Sequence, residues 1–241
     1  MRARLPLSVA TLTLLVFLLA AGSASAAPSN FIRISDERNR TWSAWVDRTA
    51  WIRQAPSMEA RKVALLRTRT WHGSDEVVVV LGEARVKGRS WAYIRYAGLG
   101  DRRGWVRTST ISELRLHANR LVLDRKRLRL TLLRGRRVLF STPVGIGAVG
   151  SPTPPGRYYV RERLGPFANT NSIYGALAFG TSDFSPYRTD WPGGGQVGIH
   201  GTNEPGLIPG RISNGCVRLR NSSVLKLGKH LRVGTPLLIR D

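Results

Sequence analysis

The sequence predicts a mainly β fold, and three observations support this prediction. Short apolar or alternating runs recur between residues 61 and 113, and the same pattern resumes at residue 121. The only stretch with a helical pattern begins with a cap at Asn221 or Ser222 and ends near residue 231. The side chains of this helix that are expected to face the core are Val224, Leu225 and Leu231. We therefore expect two successive β regions, the second of which carries one short helix.

The first 26 residues predict a secretory signal peptide. Arg2 and Arg4 precede an apolar run over residues 5–22, and Ala24-Ser25-Ala26 fits a cleavage site of small residues. The alternative is an uncleaved membrane anchor, because the run is close to the roughly 17–20 residues that a span requires. We expect an exported protein of the cell envelope or exterior, which is membrane-anchored if the segment is not cleaved.

The chain is strongly basic, with 38 Lys and Arg residues, 15 Asp and Glu residues and a formal charge of +23. Removal of Arg2 and Arg4 with the signal leaves 36 basic and 15 acidic residues, hence +21. Such a surface attracts polyanions, but export argues against nucleic acid and favours anionic cell-wall polymers. The alternative is a solvated basic surface without a partner. The single cysteine excludes an internal disulfide, so the fold depends on its core.

The residues upstream of position 120 are predicted to form three parts. Residues 27–60 show no clear hydrophobic period, and we expect a lead-in segment. Residues 61–113 read as a small β domain, since the runs at 89–96 and 104–111 resemble the last strands of a bacterial SH3-like domain. Residues 111–120 read as a linker. The favoured interpretation is a separate wall-binding module whose removal spares turnover, and the alternative is one continuous β fold.

From residue 121 the strand pattern resumes, and a Gly-rich loop interrupts it. Residues 145–150 spell GxGxxG directly after a strand, which by itself suggests a nucleotide-binding loop. That fingerprint requires a helix to begin at its last glycine, but Pro152, Pro154 and Pro155 follow and prevent one. We therefore expect a loop that leads into a strand at residues 157–161, and no nucleotide cofactor.

The residues between 174 and 241 complete the predicted elements. Residues 174–180 are expected to form a strand, and the following loop carries Tyr187 and Trp191, which we expect to line a substrate cleft. The alternative is an insertion without a role. The short helix is followed by a final strand at the C-terminus. The sequence assigns no catalytic role to His72, His117 or His230.

A cysteine and a histidine stand close together among glycines. His200 lies between Gly198 and Gly201, and Cys216 follows Gly215. A thiol beside an imidazole forms a nucleophile with its base, and a single unpaired thiol in an exported protein is unusual. The alternative is a buried cysteine that acts as a small hydrophobe. A metal site is not expected, because two ligands fall short of the three or four that zinc takes.

These residues carry the resemblance to a known family. The run His200-Gly201-Thr202, a spacer, and the run from Ser213 to Arg218 resemble the signature of the L,D-transpeptidase (YkuD) catalytic domain. The resemblance extends from about residue 121 to 239 and implies a β-sandwich catalytic domain, here residues 117–241. The sequence departs from the family at Asn214, where the family usually has histidine.

The resemblance implies a site and a reaction. The carbonyl of Gly201 would orient His200, the N–H groups of Asn214, Gly215 and Cys216 would hold an oxyanion, and Arg218 would pair with a substrate carboxylate. Cys216 would attack peptidoglycan tetrapeptide stems, release D-Ala and form 3→3 cross-links through a thioester. The alternatives are an L,D-carboxypeptidase that trims the same stems and a non-catalytic wall-binding protein. We expect a monomer without a cofactor.

Overall fold

In the computed structural model, the described residues are 28–187 and 194–241, which form two β-sheets and one α-helix. The predicted signal segment and Trp191 lie outside the described residues. Within the part of the chain that the structure describes, no helix is long and apolar enough to cross a membrane. The mainly β fold that the sequence predicts is confirmed.

The upstream sheet contains eight strands. Along the sheet their order is β4-β3-β7-β6-β5-β2-β8, and β1 pairs with β5. The strands are β1 (Ile32–Arg33), β2 (Thr41–Trp45), β3 (Ala50–Arg53), β4 (Lys62–Leu66), β5 (Val77–Val86), β6 (Arg89–Tyr96), β7 (Arg102–Arg107) and β8 (Arg115–His117).

Strand β5 is buried on both of its faces. Val78 and Val80 face the core of the upstream sheet, whereas Val77 and Val79 face the opposite side and pack with Tyr159 of the second sheet. A strand that is buried on both faces reads as a continuous apolar run instead of an alternating one. The run of four valines is therefore explained by packing on both faces of β5, one of which contacts the second sheet.

Two predictions about the upstream region are wrong. Residues 41–53 form β2 and β3 of the same sheet as β4–β7, so they are not a lead-in segment. Residues 111–120 are not a linker, since β8 pairs with β2 and the next strand begins at Asn119. These strands contain only three to five residues each, which is too short for a clear hydrophobic period. An SH3-like assignment of this sheet stays a prediction.

The second sheet contains ten strands and carries the helix. Its order is β11-β10-β9-β18-β13-β14-β15-β17-β12-β16. The elements are β9 (Asn119–Asp124), β10 (Arg129–Arg134), β11 (Arg137–Pro143), β12 (Gly145–Gly147), β13 (Gly156–Leu164), β14 (Ala178–Phe184), β15 (Gln196–His200), β16 (Gly210–Ser213), β17 (Val217–Arg218), α1 (Asn221–Gly228) and β18 (Pro236–Arg240).

The helix α1 closes one side of the core of the second sheet. Val224 and Leu227 are fully buried among the apolar side chains of β9, β10 and β14. Gly228 lies against Leu177, and a Cβ atom at this position would come within 2.5 Å of a Leu177 methyl group. The glycine that weakens the helix intrinsically is therefore required by close packing.

The two sheets are joined by buried polar contacts between the β4–β5 connection and β13. The Tyr159 hydroxyl donates to the carbonyl of Val77 over 2.9 Å. The Arg161 guanidinium forms an ion pair with Glu76, and both side chains are nearly buried. Removal of either side chain would leave the charge of the other buried and uncompensated. The upstream sheet is thus packed onto the second sheet.

Candidate active site

Adjacent parallel strands bring His200 and Cys216 together. In the register of β15 and β17, His200 pairs with Arg218, and Cys216 lies one residue before β17. A Cβ atom built on Gly198 would lie 3.5 Å from His200 Cδ2 and 3.7 Å from Cys216 Sγ. The imidazole and the thiol therefore flank the same glycine on one face of the sheet.

The imidazole of His200 is oriented by the backbone. Its Nδ1 lies 2.7 Å from the carbonyl oxygen of Gly201, which favours the tautomer with the proton on Nδ1 and leaves the lone pair of the ring on Nε2. The ring is 4 % exposed and makes an edge contact with Tyr174 at 5.3 Å between ring centroids. Burial lowers the pKa of His200 to about 4, partly offset by the Gly201 hydrogen bond and reinforced by the charge of Arg218.

The thiol of Cys216 lies in a site that favours its neutral form. Burial raises the pKa of Cys216, while the Gly198 hydrogen bond and the Arg218 charge lower it by smaller amounts. The N–H of Gly198 donates to Sγ over 3.3 Å. At neutral pH the pair is therefore a thiol and a neutral imidazole, and formation of a thiolate at this site requires a proton acceptor.

The turn that presents Cys216 is held by the loop that spells GxGxxG. The hydroxyl of Thr153 donates to the carbonyl of Gly215 over 2.7 Å and accepts from the N–H of Gly147 over 2.9 Å. A Cβ atom on Gly147 would lie 2.3 Å from the carbonyl oxygen of Ser151. The glycine serves close packing of this loop, which leads into β13 as the sequence predicts.

Arg218 lies beside the thiol with unused hydrogen-bonding capacity. Its Nη1 donates to Glu204 over 2.9 Å, and the Glu204 side chain is 51 % exposed. Its Nε is buried and has no hydrogen-bond partner within the described ranges. A planar guanidinium that donates to one exposed carboxylate can instead donate to the carboxylate of a substrate.

Two clefts of different character open onto the same pair. We name the first the Arg218 cleft, and its other lining residues include Ser185, Ser213 and Asn214. We name the second the His72 cleft, and its lining is mainly apolar. The residues that line only this second cleft are His72, Leu164, Phe167, Ala178, Phe179, Gly180 and Gly198. Both clefts share Tyr174, Gln196, His200 and Cys216.

The other predicted site residues differ in whether they line a cleft and in whether their hydrogen-bonding groups are free. The N–H of Gly215 donates to the Ser213 hydroxyl over 3.2 Å, so this group is already engaged within the turn. Asn214 is exposed at the cleft. Tyr187 is 55 % exposed and is not among the lining residues of either cleft. Trp191 lies outside the described residues.

Asn221 is a positioning residue that sequence reasoning missed. It was expected only as a helix cap, but its Oδ1 accepts from the N–H groups of Ala176 and Thr202, each over 3.1 Å. A Cβ atom on Gly201 would lie 2.2 Å from this oxygen. The amide thus ties the loop before β14 to the residues after His200. The only signal for this contact in the sequence was Gly201, because a glycine often marks a place where another group approaches the backbone closely.

A thiol beside an imidazole that is oriented by a backbone carbonyl is the arrangement of enzymes that transfer acyl groups through cysteine. Residues 118–239 match the model of the YkuD family, described as the L,D-transpeptidase catalytic domain. The match covers half of the chain, and the chain belongs to this family of acyltransferase-type enzymes. The predicted resemblance is confirmed.

Two curated sequence relatives agree with this assignment. The chain is 31 % identical over 110 residues to YkuD of Bacillus subtilis, whose name assigns it to the L,D-transpeptidases; the match covers 46 % of this chain and 58 % of that one. It is 36 % identical over 112 residues to ErfK/SrfK of Salmonella typhimurium, also named for this activity, with 41 % and 36 % covered. A solved L,D-transpeptidase from Mycobacterium tuberculosis is 15 % identical at a TM-score of 0.43, with 69 % and 90 % covered.

Proposed function

We propose that this chain is an exported L,D-transpeptidase that forms 3→3 peptidoglycan cross-links with Cys216 as its nucleophile. The observation that carries the proposal is the placement of His200 and Cys216 on either side of Gly198, with the Gly201 carbonyl on Nδ1. The chain matches 58 % of the length of YkuD from Bacillus subtilis, so the activity of the whole protein is part of the proposal.

The first half-reaction would acylate the thiol. Nε2 of His200 takes the thiol proton while Sγ attacks the carbonyl carbon of residue three in a tetrapeptide stem. The N–H groups of Asn214 and Cys216 are the candidate donors for the oxyanion, because that of Gly215 is already engaged. The C–N bond then breaks, the proton passes from His200 to the leaving amine, and D-Ala departs from the thioester.

The second half-reaction would transfer the acyl group. A neutral amine of a neighbouring stem attacks the thioester carbon, and the C–S bond breaks. The amine proton passes through His200 to Sγ, which restores the neutral thiol and imidazole. Water in place of the amine would give carboxypeptidase trimming of the same stem.

Arg218 and the basic surface support an acidic substrate. Stem peptides end in carboxylates, and the half-engaged guanidinium of Arg218 lies in the cleft that contains the thiol. The charge of +21 expected after signal removal fits anionic cell-wall polymers as partners of the exported protein. Export itself rests on the predicted signal in residues 1–26.

Incubation of the full chain with purified tetrapeptide muropeptides, followed by mass spectrometry, tests the proposal. We expect cross-linked dimers, release of D-Ala and a thioester adduct on intact protein. The matched control Cys216→Ala should give none of these at an unchanged melting temperature. Trimmed stems without dimers would show that the enzyme is a hydrolase and not a transpeptidase. Product formation by the Cys216→Ala protein would show that Cys216 is not the nucleophile.

A further inference from the structure

The upstream sheet reaches the His72 cleft through the connection between β4 and β5. Nδ1 of His72 lies 3.1 Å from Glu162 Oε1, and the hydroxyl of Thr70 donates to Glu162 Oε2 over 2.8 Å. The side chain of Glu162 is fully buried, whereas that of His72 is 32 % exposed. A carboxylate beside Nδ1 favours a proton on that nitrogen, which leaves Nε2 of the neutral ring as its acceptor.

The strand register places this pair near the thiol. Glu162 on β13 is paired with Gly180 on β14, which is paired with Gly198 on β15. Neighbouring strands lie about 4.8 Å apart, so roughly 10 Å separates Glu162 from Gly198, whose N–H touches the thiol of Cys216.

Gly180 allows the carboxylate of Glu162 to reach toward the thiol. A Cβ atom on Gly180 would lie 2.7 Å from Glu162 Oε1, so any side chain at this position would displace the carboxylate. Because Gly180 has no side chain, the Glu162 carboxylate can lie over β14, which is one strand closer to the thiol than β13.

The two clefts differ in charge in a way that suits two different substrates. The Arg218 cleft presents a guanidinium beside the thiol, which suits a donor stem that ends in carboxylates. In the described part of the chain, no Arg or Lys lines the His72 cleft, and the Glu162 carboxylate lies behind His72. An amine that arrives as its ammonium ion is therefore favoured on the His72 side and repelled on the Arg218 side, and it attacks only after it has lost that extra proton to solvent.

We propose that the His72 cleft is the acceptor subsite, that it takes a primary amine on an aliphatic chain, and that His72 contacts this acceptor. The inference rests on the proposed function. Leu164, Phe167 and Phe179 provide the apolar walls for the aliphatic chain. The upstream sheet then determines which amine is used, while the second sheet alone carries the acylation chemistry.

The test separates acylation from transfer in the full-length protein. Acylation is followed as thioester formation on intact mass with a tetrapeptide donor alone, and transfer as dimer yield against increasing acceptor stem. For His72→Ala we expect acylation within about twofold of wild type and an acceptor requirement raised about tenfold, with more hydrolysis. His72→Gln, whose amide can still donate to Glu162, should fall between them, and His230→Ala serves as the matched loss of an exposed histidine.

Three outcomes would overturn the inference. If His72→Ala and His72→Gln transfer the acyl group as well as His230→Ala does, the acceptor does not contact His72, although the proposed function stands. An equal loss of acylation and transfer in both variants assigns His72 to the packing of the two sheets. A wild-type protein that forms no thioester fails at the proposed function itself and removes the inference with it.

Discussion

At the scale of single residues, burial sets the protonation states of the site. His200 has its pKa lowered to about 4 by burial, and Cys216 has its pKa raised by burial. A base acts only when it is unprotonated, so the reactivity that depends on His200 is present above pH 4 and is lost as the pH falls through 4. Near neutrality the imidazole of His200 is therefore unprotonated, and the thiol of Cys216 is neutral.

The His200 assignment predicts a change in the pH dependence of thiol alkylation. Wild type should lose reactivity as the pH falls through about 4, whereas His200→Ala should lack this step and be slower by roughly 10²–10⁴-fold near neutrality. Asn214→His should stay reactive and add an ionisation near neutral pH. Alkylation rates of the three proteins from pH 3 to 9 measure this. Equal rates for wild type and His200→Ala would show that His200 is not the base.

A second residue-scale prediction concerns Asp183. This carboxyl is fully buried where Gly98 of the upstream sheet meets β14, and burial raises its pKa to about 7, partly offset by the Phe184 backbone. Because the folded pKa lies above the unfolded value near 4, stability is lost as the pH rises from 4 to 7. Relative to Asp183→Asn, wild type should therefore lose about 4 kcal/mol of unfolding free energy over this range.

Urea denaturation at pH 5 and pH 8 measures about two-thirds of this difference, because the remainder is lost below pH 5. The exposed carboxylate of Asp75, paired with Arg69 at the surface, provides the control Asp75→Asn, which should change stability equally at both pH values. A difference between wild type and Asp183→Asn that does not grow with pH would contradict the shifted pKa.

At the scale of elements, the helix α1 shows how packing changes a local prediction. The helical pattern suggested that Leu225 faces the core, but Leu225 is 43 % exposed and Leu227 is fully buried. The first residue of the helix is also used differently, since the Asn221 amide bonds to the N–H groups of Ala176 and Thr202 instead of the helix N-terminus. The start of the helix thereby fixes both loops beside His200.

Asn221→Ala is predicted to lower stability and acylation together. Two buried N–H groups lose their acceptor, which costs about 1–3 kcal/mol. The loops that carry Tyr174 and Thr202 should loosen, so acylation slows although no group that reacts has changed. Thermal unfolding and thioester formation measure the two effects. Ser222→Ala is the control, because Ser222 is the neighbouring helix residue, and normal acylation by Asn221→Ala would contradict the positioning role.

At the scale of the whole molecule, the buried ion pair and the valine run of β5 join the sheets. The sequence predicted that removal of the upstream region spares turnover, whereas the packing predicts the opposite. A chain that starts at residue 118 would expose Tyr159 and leave Arg161 without Glu76. Loss of one partner of a buried ion pair costs about 3–5 kcal/mol. We expect this truncated chain to be insoluble or to melt far below the full chain.

The truncation has a matched control within the chain. Replacement of Tyr159 by Ser and of Arg161 by Gln in the truncated chain removes the exposed apolar ring and the unpaired charge, so solubility should be partly restored. Far-UV circular dichroism and melting temperature measure both proteins. Full stability and turnover of the unaltered truncated chain would show that the upstream sheet is a separate module.

The sequence by itself determined the strand-rich fold, the family and the proximity of the His200 and Cys216 side chains. These features depend on local patterns: alternating apolar runs, turn residues, and a histidine and a cysteine sixteen positions apart among glycines. The rejection of a helix after residue 150 also needed only the prolines that follow it, and the structure shows a loop there.

The tertiary structure decided the features that join residues far apart in the chain. His72 and Glu162 are separated by 90 positions, and neither has a local pattern that predicts the other. The protonation states of His200 and Cys216 depend on burial by the surrounding elements, which no short motif contains. The physical reason is that periodicity and turn chemistry specify strands and loops, whereas burial and long-range pairing arise only when the two sheets pack.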